Sequence, residues 1–211
     1  DELLLMLDYG IFYEFIPMDT FETIHQHTIR LNEVELNKNY ALVITTNSGL
    51  WRYLIGDTIR FTSLQPYRIK VTGRTKHHIN VFGEELMVEN TDTAITKTCK
   101  EFNCEISDYT VAPVFMKDNQ KGAHEWIIEF KTKPDNIENF RMALDENLQA
   151  VNSDYEAKRY QNMTLNPLVL HVAREQLFYD WLKQQDKLGG QHKIPRLSND
   201  RLYLESLLTL Q

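Results

Sequence analysis

The segment Gly49–Asp57, with the sequence GLWRYLIGD, decides the fold class of the N-terminal part of the chain. Leu50–Ile55 is apolar and aromatic over the length of a strand, and the segment ends in Gly-Asp, a pair that is typical of turns. We therefore predict one strand at Leu50–Ile55, a turn, and a second strand at Thr58–Thr62. Alternation along the first strand predicts that Trp51 and Tyr53 share a face. This face can stack on an adenine or be part of the core, and we expect Trp51 to be a core residue.

Strands continue on both sides of this segment, so the first 75 residues are predicted to form an all-β, β-barrel-like strand region. The further predicted strands are Leu3–Leu7, Ile11–Ile16, Tyr40–Thr46 and Arg68–Val71.

After Gly73 the pattern changes, because strands and helices alternate in the order β-α-β-β-α-β-α. This order predicts a small α/β sandwich, and the fold class of the whole chain is therefore α+β. We place a domain boundary near Arg74 to Lys76, which gives domains 1–75 and 76–211. The predicted strands are His78–Phe82, Tyr109–Met116, Glu125–Lys131 and Leu168–Val172; the helices are Thr91–Phe102 (capped by Asn90 or Thr91), one that starts at Pro134-Asp135, and Glu175–Leu188, which Gly189-Gly190 ends.

Composition and charge favour small molecules or proteins as partners. The 211 residues are 42% hydrophobic and 25% charged, with a net charge of -7, which favours neither nucleic acid nor an anionic membrane. No apolar stretch approaches the ~20 residues of a membrane span, and the N-terminus lacks the features of a signal peptide. Cys99 and Cys104 fit neither a redox pair nor a zinc ligand set, so we interpret them as reduced packing residues. A cytoplasmic protein is predicted.

The carboxylate of Asp57 is the first candidate for chemistry. At a turn between two strands its two oxygens can accept hydrogen bonds from the adjacent hydroxyls of a ribose. The alternative is that Gly56-Asp57 is simply a β-turn.

Two longer stretches support the first interpretation. Residues 42–57 (LVITTNSGLWRYLIGD) and 73–86 (GRTKHHINVFGEEL) together resemble the Gretchen Hagen family of auxin-responsive acyl-acid amido synthetases, which belong to the adenylate-forming superfamily. In that superfamily a strand ends in Gly-Asp, Gly-Arg follows before the hinge between a large and a small mobile domain, and a glycine-containing loop comes next. Residues 191–197 (QHKIPRL) resemble a further family segment, Gln-Tyr-Lys-x-Pro-Arg, with His192 in place of Tyr.

The resemblance implies a role for each matching residue. Asp57 would bind the ribose hydroxyls of ATP or AMP, Tyr53 would lie near the nucleotide, and Arg74 would contact ribose or phosphate. Lys193 would be the catalytic lysine that bridges the acyl carboxylate and the α-phosphate. The loop at Gly83-Glu84 would face the active site when the amine enters.

The implied activity is that of an ATP- and Mg²⁺-dependent ligase for a small carboxylic acid and an amino acid. The eight glycines form no phosphate-binding cradle, and the chain opens on an apolar run, so we expect a C-terminal part that lacks an N-terminal domain and is inactive by itself.

Other interpretations stay open. The chain can be a non-catalytic nucleotide or small-molecule binding or interaction module, or an α+β domain in which Gly-Asp and Gly-Arg are only turns. Lys193 can be a solvated lysine, and Gly83-Glu84-Glu85 a turn with two exposed acids. The histidines, among them His25 and His27, complete no metal site.

Overall fold

The computed structural model describes residues 2–21, 23–75, 78–117, 120–162, 164–188 and 193–211. Its contacts divide the chain into two compact units, residues 1–76 and residues 77–211. We call them the N-terminal unit and the C-terminal unit and describe each by itself.

The N-terminal unit is a six-stranded antiparallel sheet with the order β1-β6-β5-β4-β2-β3. The sheet is open, with β1 and β3 at its edges, so the described strands do not close into the barrel-like arrangement that was predicted. Its strands are β1 (Leu3–Leu4), β2 (Ile11–Pro17), β3 (Ile29–Arg30), β4 (Asn39–Thr46), β5 (Tyr53–Leu64) and β6 (Tyr67–Arg74).

Period-2 alternation places aromatic side chains on one face of this sheet. Phe15, Tyr40 and Phe61 are buried there and contact one another edge to face, with ring centroids 5.2 to 6.1 Å apart. This arrangement suits the ring quadrupoles better than parallel stacking of the faces. The three rings join the middle strands β2, β4 and β5 into one core.

The predicted turn at Gly56-Asp57 is wrong, because both residues lie inside the continuous strand β5. The pairing with β4 jumps from Ala41 opposite Thr58 to Val43 opposite Leu54, which marks a β-bulge. Gly56 has φ +89°, a conformation that glycine adopts without a steric penalty. The glycine therefore bends the strand instead of ending it.

Trp51 was predicted to be a core residue, and this prediction is also wrong. The side chain is 80% exposed, and it precedes the strand instead of lying in it. The adjacent Arg52 has φ +44°, and its backbone N–H donates to Thr45 Oγ1 at 3.0 Å. Alternation begins only at Tyr53, so it could not predict the orientation of Trp51.

The C-terminal unit has a three-stranded sheet of order β11-β10-β9, in which β9 and β10 are antiparallel and β10 and β11 parallel. A short pair, β7 with β8, precedes the first helix. The strands are β7 (His78–Ile79), β8 (Leu86–Met87), β9 (Glu105–Val114), β10 (Ala123–Thr132) and β11 (Val169–Val172). The helices are α1 (Val88–Glu101), α2 (Ile137–Val151), α3 (Ser153–Arg159), α4 (Leu177–Gln184) and α5 (Leu202–Leu210).

Helices cover both faces of this sheet. Trp126 and Ile128 of β10 point into the core formed with α1 and α2, whereas Ile127 points into the core formed with α4 and α5. The α+β class is thus confirmed, and the predicted strand and helix order recurs with β8, α3 and α5 added. Among the described residues, no helix combines the length and the apolar character that crossing a membrane requires.

Several predicted ends differ from the observed ones. Helix α1 starts at Val88, not Thr91, because Asn90 accepts a hydrogen bond from the N–H of Met87 and so acts from inside the first turn. Asn136 caps α2, which places its start after Pro134-Asp135. The strand predicted at His78–Phe82 ends at Ile79, and the helix predicted to reach Leu188 ends at Gln184. The predicted stop, Gly189-Gly190, lies outside the described residues.

Candidate functional site

Asp57 and Arg74, both predicted to contact the nucleotide, meet in the N-terminal unit. They are directly opposite each other in the pairing of β5 with β6, and Arg74 Nε lies 2.9 Å from Asp57 Oδ1. The Asp57 side chain is 31% exposed and that of Arg74 64% exposed. The two charges are therefore held together by the strand register at a position that solvent can reach.

Tyr53 opens β5, opposite Ile44 of β4, and its side chain is half-exposed. Four residues separate it from Asp57 along the strand, a span of roughly 13 Å at the usual rise per residue, shortened somewhat by the bulge at Gly56. The phenol and the carboxylate therefore stand apart on a single strand.

The carboxyl group of Glu84 is fully buried, so the alternative interpretation of two exposed acids is wrong. One oxygen accepts a hydrogen bond from the backbone N–H of Phe82 at 2.7 Å. The other lies 2.8 Å from Nε2 of His124, a β10 side chain that is also fully buried. Glu84 thus fixes its own loop to the sheet of the C-terminal unit.

Further contacts hold the same loop. Asn80 Oδ1 accepts from the N–H of Glu85, and the N–H of Asn80 donates to Asn199 Oδ1, each at 3.0 Å. Gly83 is exposed at the tip with φ +78°, where a Cβ would lie 3.3 Å from Nζ of Lys158. A residue with a side chain would be strained by this backbone conformation, and Lys158 would have to move by a few tenths of an ångström.

His124 connects the loop to a second buried group. Its ring stacks on Tyr155 with centroids 5.1 Å apart, and the Tyr155 hydroxyl donates to Asp145 at 2.6 Å. Burial, and then the charge of Asp145, raise the pKa of Tyr155 well above its usual value, so the phenol remains a donor. Arg159 pairs with Asp145 at 2.6 Å. The sequence analysis did not identify this buried group, because the sequence shows neither the pairing of its residues nor their burial.

Lys193 has an exposed side chain beside a buried residue, Ile194. The segment that follows it lies along the edge of β9. Thr110 Oγ1 donates to the carbonyl of Pro195 at 2.7 Å, and the N–H of Val111 donates to the carbonyl of Arg196 at 2.9 Å. The head of Lys193 is solvated, but the backbone that follows is fixed. Gln191 and His192 lie outside the described residues.

The structure brings together Asp57 and Arg74 in one unit and fixes the Gly83 loop and the Lys193 segment in the other. His25 and His27 are exposed, and His77 lies outside the described residues. Within the described part of the chain no group of three or more His, Cys, Asp or Glu side chains could hold a metal ion. The Mg²⁺ that the resemblance implies does not require a group of this size. Proteins commonly hold this ion through one or two carboxylates and the phosphates of the substrate.

Two family models match the chain. The GH3 family central domain matches residues 4–74, and the GH3 family C-terminal domain matches residues 89–202, more than half of the chain. These matches confirm the resemblance inferred from Gly49–Asp57 and Gly73-Arg74.

Individual proteins give the same result. Indole-3-acetic acid-amido synthetase GH3.3 of Arabidopsis thaliana is 24% identical over 198 residues, which cover 88% of this chain and 33% of the relative. The solved structure of GH3.15 acyl acid amido synthetase aligns with a TM-score of 0.65 at 21% identity, over 94% of this chain and 36% of that one. A 2-hydroxyisobutyryl-CoA ligase in the postadenylation state aligns with a TM-score of 0.50 at 12% identity, over 96% and 39%. The chain thus spans about a third of the length of these proteins, and the structural likenesses show the fold.

Proposed function

The chain belongs to the GH3 (Gretchen Hagen 3) family, and we propose that it is the C-terminal part of an ATP-dependent acyl-acid amido synthetase. In the first half-reaction a carboxylate attacks the α-phosphate of ATP, which gives an acyl-adenylate and pyrophosphate. In the second, the neutral amine of an amino acid attacks the acyl carbon and AMP leaves. Residues 1–75 would be the β-rich remainder of the adenylating domain, and residues 76–211 the small mobile domain, in a cytoplasmic enzyme.

The observation that carries this proposal is the Asp57–Arg74 pair. The Asp57 carboxylate is 31% exposed and can accept both hydroxyls of a ribose, in charge-assisted hydrogen bonds of about 1.5 to 3 kcal/mol each. Arg74 is mostly exposed, so its guanidinium can turn toward ribose or phosphate when the nucleotide arrives. Tyr53, half-exposed on the same strand as Asp57, would lie beside the nucleotide.

Lys193 would supply the charge for adenylation. As the carboxylate attacks, negative charge grows on the oxygens around the α-phosphate, and an ammonium group that bridges the two reactants stabilises that charge. The exposed head of Lys193 and the fixed backbone beside it suit this role.

The loop of Gly83 and Glu84 would shape the entry of the amine. Gly83 permits close approach because it is exposed and has no side chain. Glu84 would act by holding the loop in place instead of touching the amine, since its carboxyl group is buried against His124.

Calorimetric titration of the chain with AMP tests the nucleotide role. We expect Asp57→Ala to weaken binding at least tenfold, because the loss of one charge-assisted hydrogen bond already corresponds to a factor of that size. Asp8→Ala, a change at an exposed aspartate of the same unit, is the control and should leave the affinity unchanged. Equal affinity of wild type and Asp57→Ala would refute the assignment of Asp57.

Catalysis is tested separately in the natural protein, by pyrophosphate exchange into ATP that depends on an added carboxylic acid. We expect exchange with at least one acid of the indole-acetate or benzoate type, and amide formation once amino acids are added. AMP binding without exchange for any acid would instead support the second interpretation, a nucleotide-binding module without catalysis.

A further inference from the structure

We propose that Arg196 is a positioning residue that holds Lys193 in place for adenylation, through contacts with Asp92 and Tyr109. The inference rests on the proposed function, because it assigns a task to the segment that carries Lys193. Neither Asp92 nor Tyr109 belongs to the motifs by which the family resemblance was found.

The guanidinium of Arg196 is held from two sides. Its Nη1 donates to both carboxylate oxygens of Asp92, at 2.6 and 2.5 Å, and its central carbon lies 5.3 Å from the ring centroid of Tyr109. A guanidinium over an aromatic face gains a cation–π attraction in addition to its ion pair. The ion pair therefore restricts the direction in which the guanidinium points, and the ring contact restricts its distance from Tyr109.

Asp92 and Tyr109 are themselves fixed. The Tyr109 hydroxyl donates to Asp92 Oδ1 at 2.6 Å and lies 2.8 Å from Thr91 Oγ1. Tyr109 is buried and stacks on Trp126 at 5.4 Å between centroids. Asp92 and Tyr109, the two residues that contact Arg196, thus join α1 to the sheet of the C-terminal unit.

The backbone transmits this restriction to Lys193. The N–H of Val111 donates to the carbonyl of Arg196, and the N–H of Ser198 donates to the carbonyl of Val111, at 2.9 and 3.2 Å. Leu197 and Ile194 are buried on either side of the arginine. Consecutive Cα atoms are 3.8 Å apart, so the Cα of Lys193 lies that close to a residue packed in the core. Lys193 is exposed, and the next residue, Ile194, is packed in the core.

This arrangement separates positioning from overall stability. The ion pair is half-exposed, with 46% of Arg196 and 40% of Asp92 accessible, and pairs of this kind contribute little to the stability of the whole fold. Misplacement of a catalytic group by about 1 Å, however, can slow a reaction about 100-fold. Loss of the Arg196 contacts is therefore expected to reduce catalysis far more than stability.

The test compares Arg196→Gln and Asp92→Asn with Arg174→Gln in the natural protein. Arg174 is the matched control, because it forms an ion pair with Asp180 at 2.7 Å in the same unit, with 39% and 38% of the two side chains exposed. For the first two variants we expect faster deuterium exchange at the Ser198 amide, acid-dependent pyrophosphate exchange slowed 10- to 100-fold in kcat, and an unchanged urea midpoint. The rate of acyl transfer from a supplied acyl-adenylate to an amino acid should change less than threefold, since Lys193 serves the first half-reaction.

Rescue provides the second criterion. The double variant Arg196→Asp with Asp92→Arg restores the charge pair and should recover part of the lost exchange activity. Equal slowing of both half-reactions with a lowered urea midpoint would show a merely structural role and overturn the proposal. So would unchanged deuterium uptake with intact adenylation. A wild-type protein with no adenylation for any acid would instead overturn the proposed function and the role of Arg196 with it.

Discussion

Replacing Glu84 by alanine removes the carboxyl group that holds the Gly83 loop to the sheet. Two polar groups lose their partner at once, namely the backbone N–H of Phe82 and Nε2 of His124. Glu84 and His124 are both fully buried, so little water can reach these groups. The substitution therefore leaves these two groups without a hydrogen-bond partner inside the C-terminal unit.

The magnitude follows from these two losses. A buried polar group left without its partner costs about 1 to 3 kcal/mol, so two of them correspond to about 4 kcal/mol. Because domains are stable by only about 5 to 15 kcal/mol, Glu84→Ala should reduce the free energy of unfolding by a large fraction.

Urea unfolding followed by tryptophan fluorescence measures the effect. Trp126 and Trp181 are buried in the C-terminal unit, whereas Trp51 of the N-terminal unit is mostly exposed, so the signal reports mainly on the C-terminal unit. With a slope of about 2 kcal/mol per molar urea, the midpoint should fall by about 2 M.

Glu138→Ala is the control, because Glu138 is an exposed glutamate on α2 that pairs with Arg141. It should barely move the midpoint, since exposed pairs contribute little. Glu84→Gln should fall between the two, because its side-chain carbonyl can still accept from Phe82. If Glu84→Ala and Glu138→Ala have the same midpoint, the buried carboxyl group does not anchor the loop.

Two further predictions concern the titration of groups in the C-terminal unit. Burial raises the pKa of Asp108, so the native state binds this proton more tightly than the unfolded state, and the free energy of unfolding falls as pH rises from about 4 through the raised pKa. Asp108→Asn should therefore raise the melting temperature at pH 7 but not at pH 3, and a lower melting temperature at pH 7 would contradict the assignment. Burial, and then a hydrogen bond with Cys104, raise the pKa of the Cys99 thiol to about 12, against 9.0 for the ordinary group. Iodoacetamide at pH 8 should then label Cys99 roughly 40-fold more slowly than in the urea-unfolded chain, after allowance for the greater nucleophilicity of a more basic thiolate, and mass spectrometry showing equal rates would exclude such a shift.

Periodicity predicted those parts of the fold in which side chains alternate regularly. The strands β2 and β4 were predicted to within one residue, because Phe15 and Tyr40 sit at the core positions of clear period-2 patterns. The bulge at Gly56 was misread as a turn, because Gly-Asp is typical of both and only pairing with β4 distinguishes them. The prediction that Trp51 is a core residue was wrong for a related reason, since a local turn precedes the strand.

The candidate site was predictable as a set of residues but not as a set of contacts. Asp57 and Arg74 were identified by the resemblance, yet their ion pair depends on a strand register that the sequence alone does not give. Glu84 and His124 are forty residues apart, and neither carries a pattern that predicts burial. Charged side chains are almost never fully buried without a partner, so the position of Glu84 could not be derived before its partner was known.

The residues proposed for function share one physical arrangement. Asp57, Gly83 and Lys193 are accessible, and the backbone at or beside each is fixed by a different kind of contact. Asp57 is fixed by the pairing of β5 with β6, and the Gly83 loop by the buried carboxyl group of Glu84. The segment after Lys193 is fixed by its hydrogen bonds along the edge of β9. Exposure lets the group meet a substrate, and the fixed backbone limits the positions it can take, which a precise reaction requires. It follows that the substitutions with the largest effect on catalysis need not be at the exposed residues. Changes at His124 or Asp92, which would touch no substrate, should shift the loop and the lysine while leaving every proposed substrate contact chemically intact.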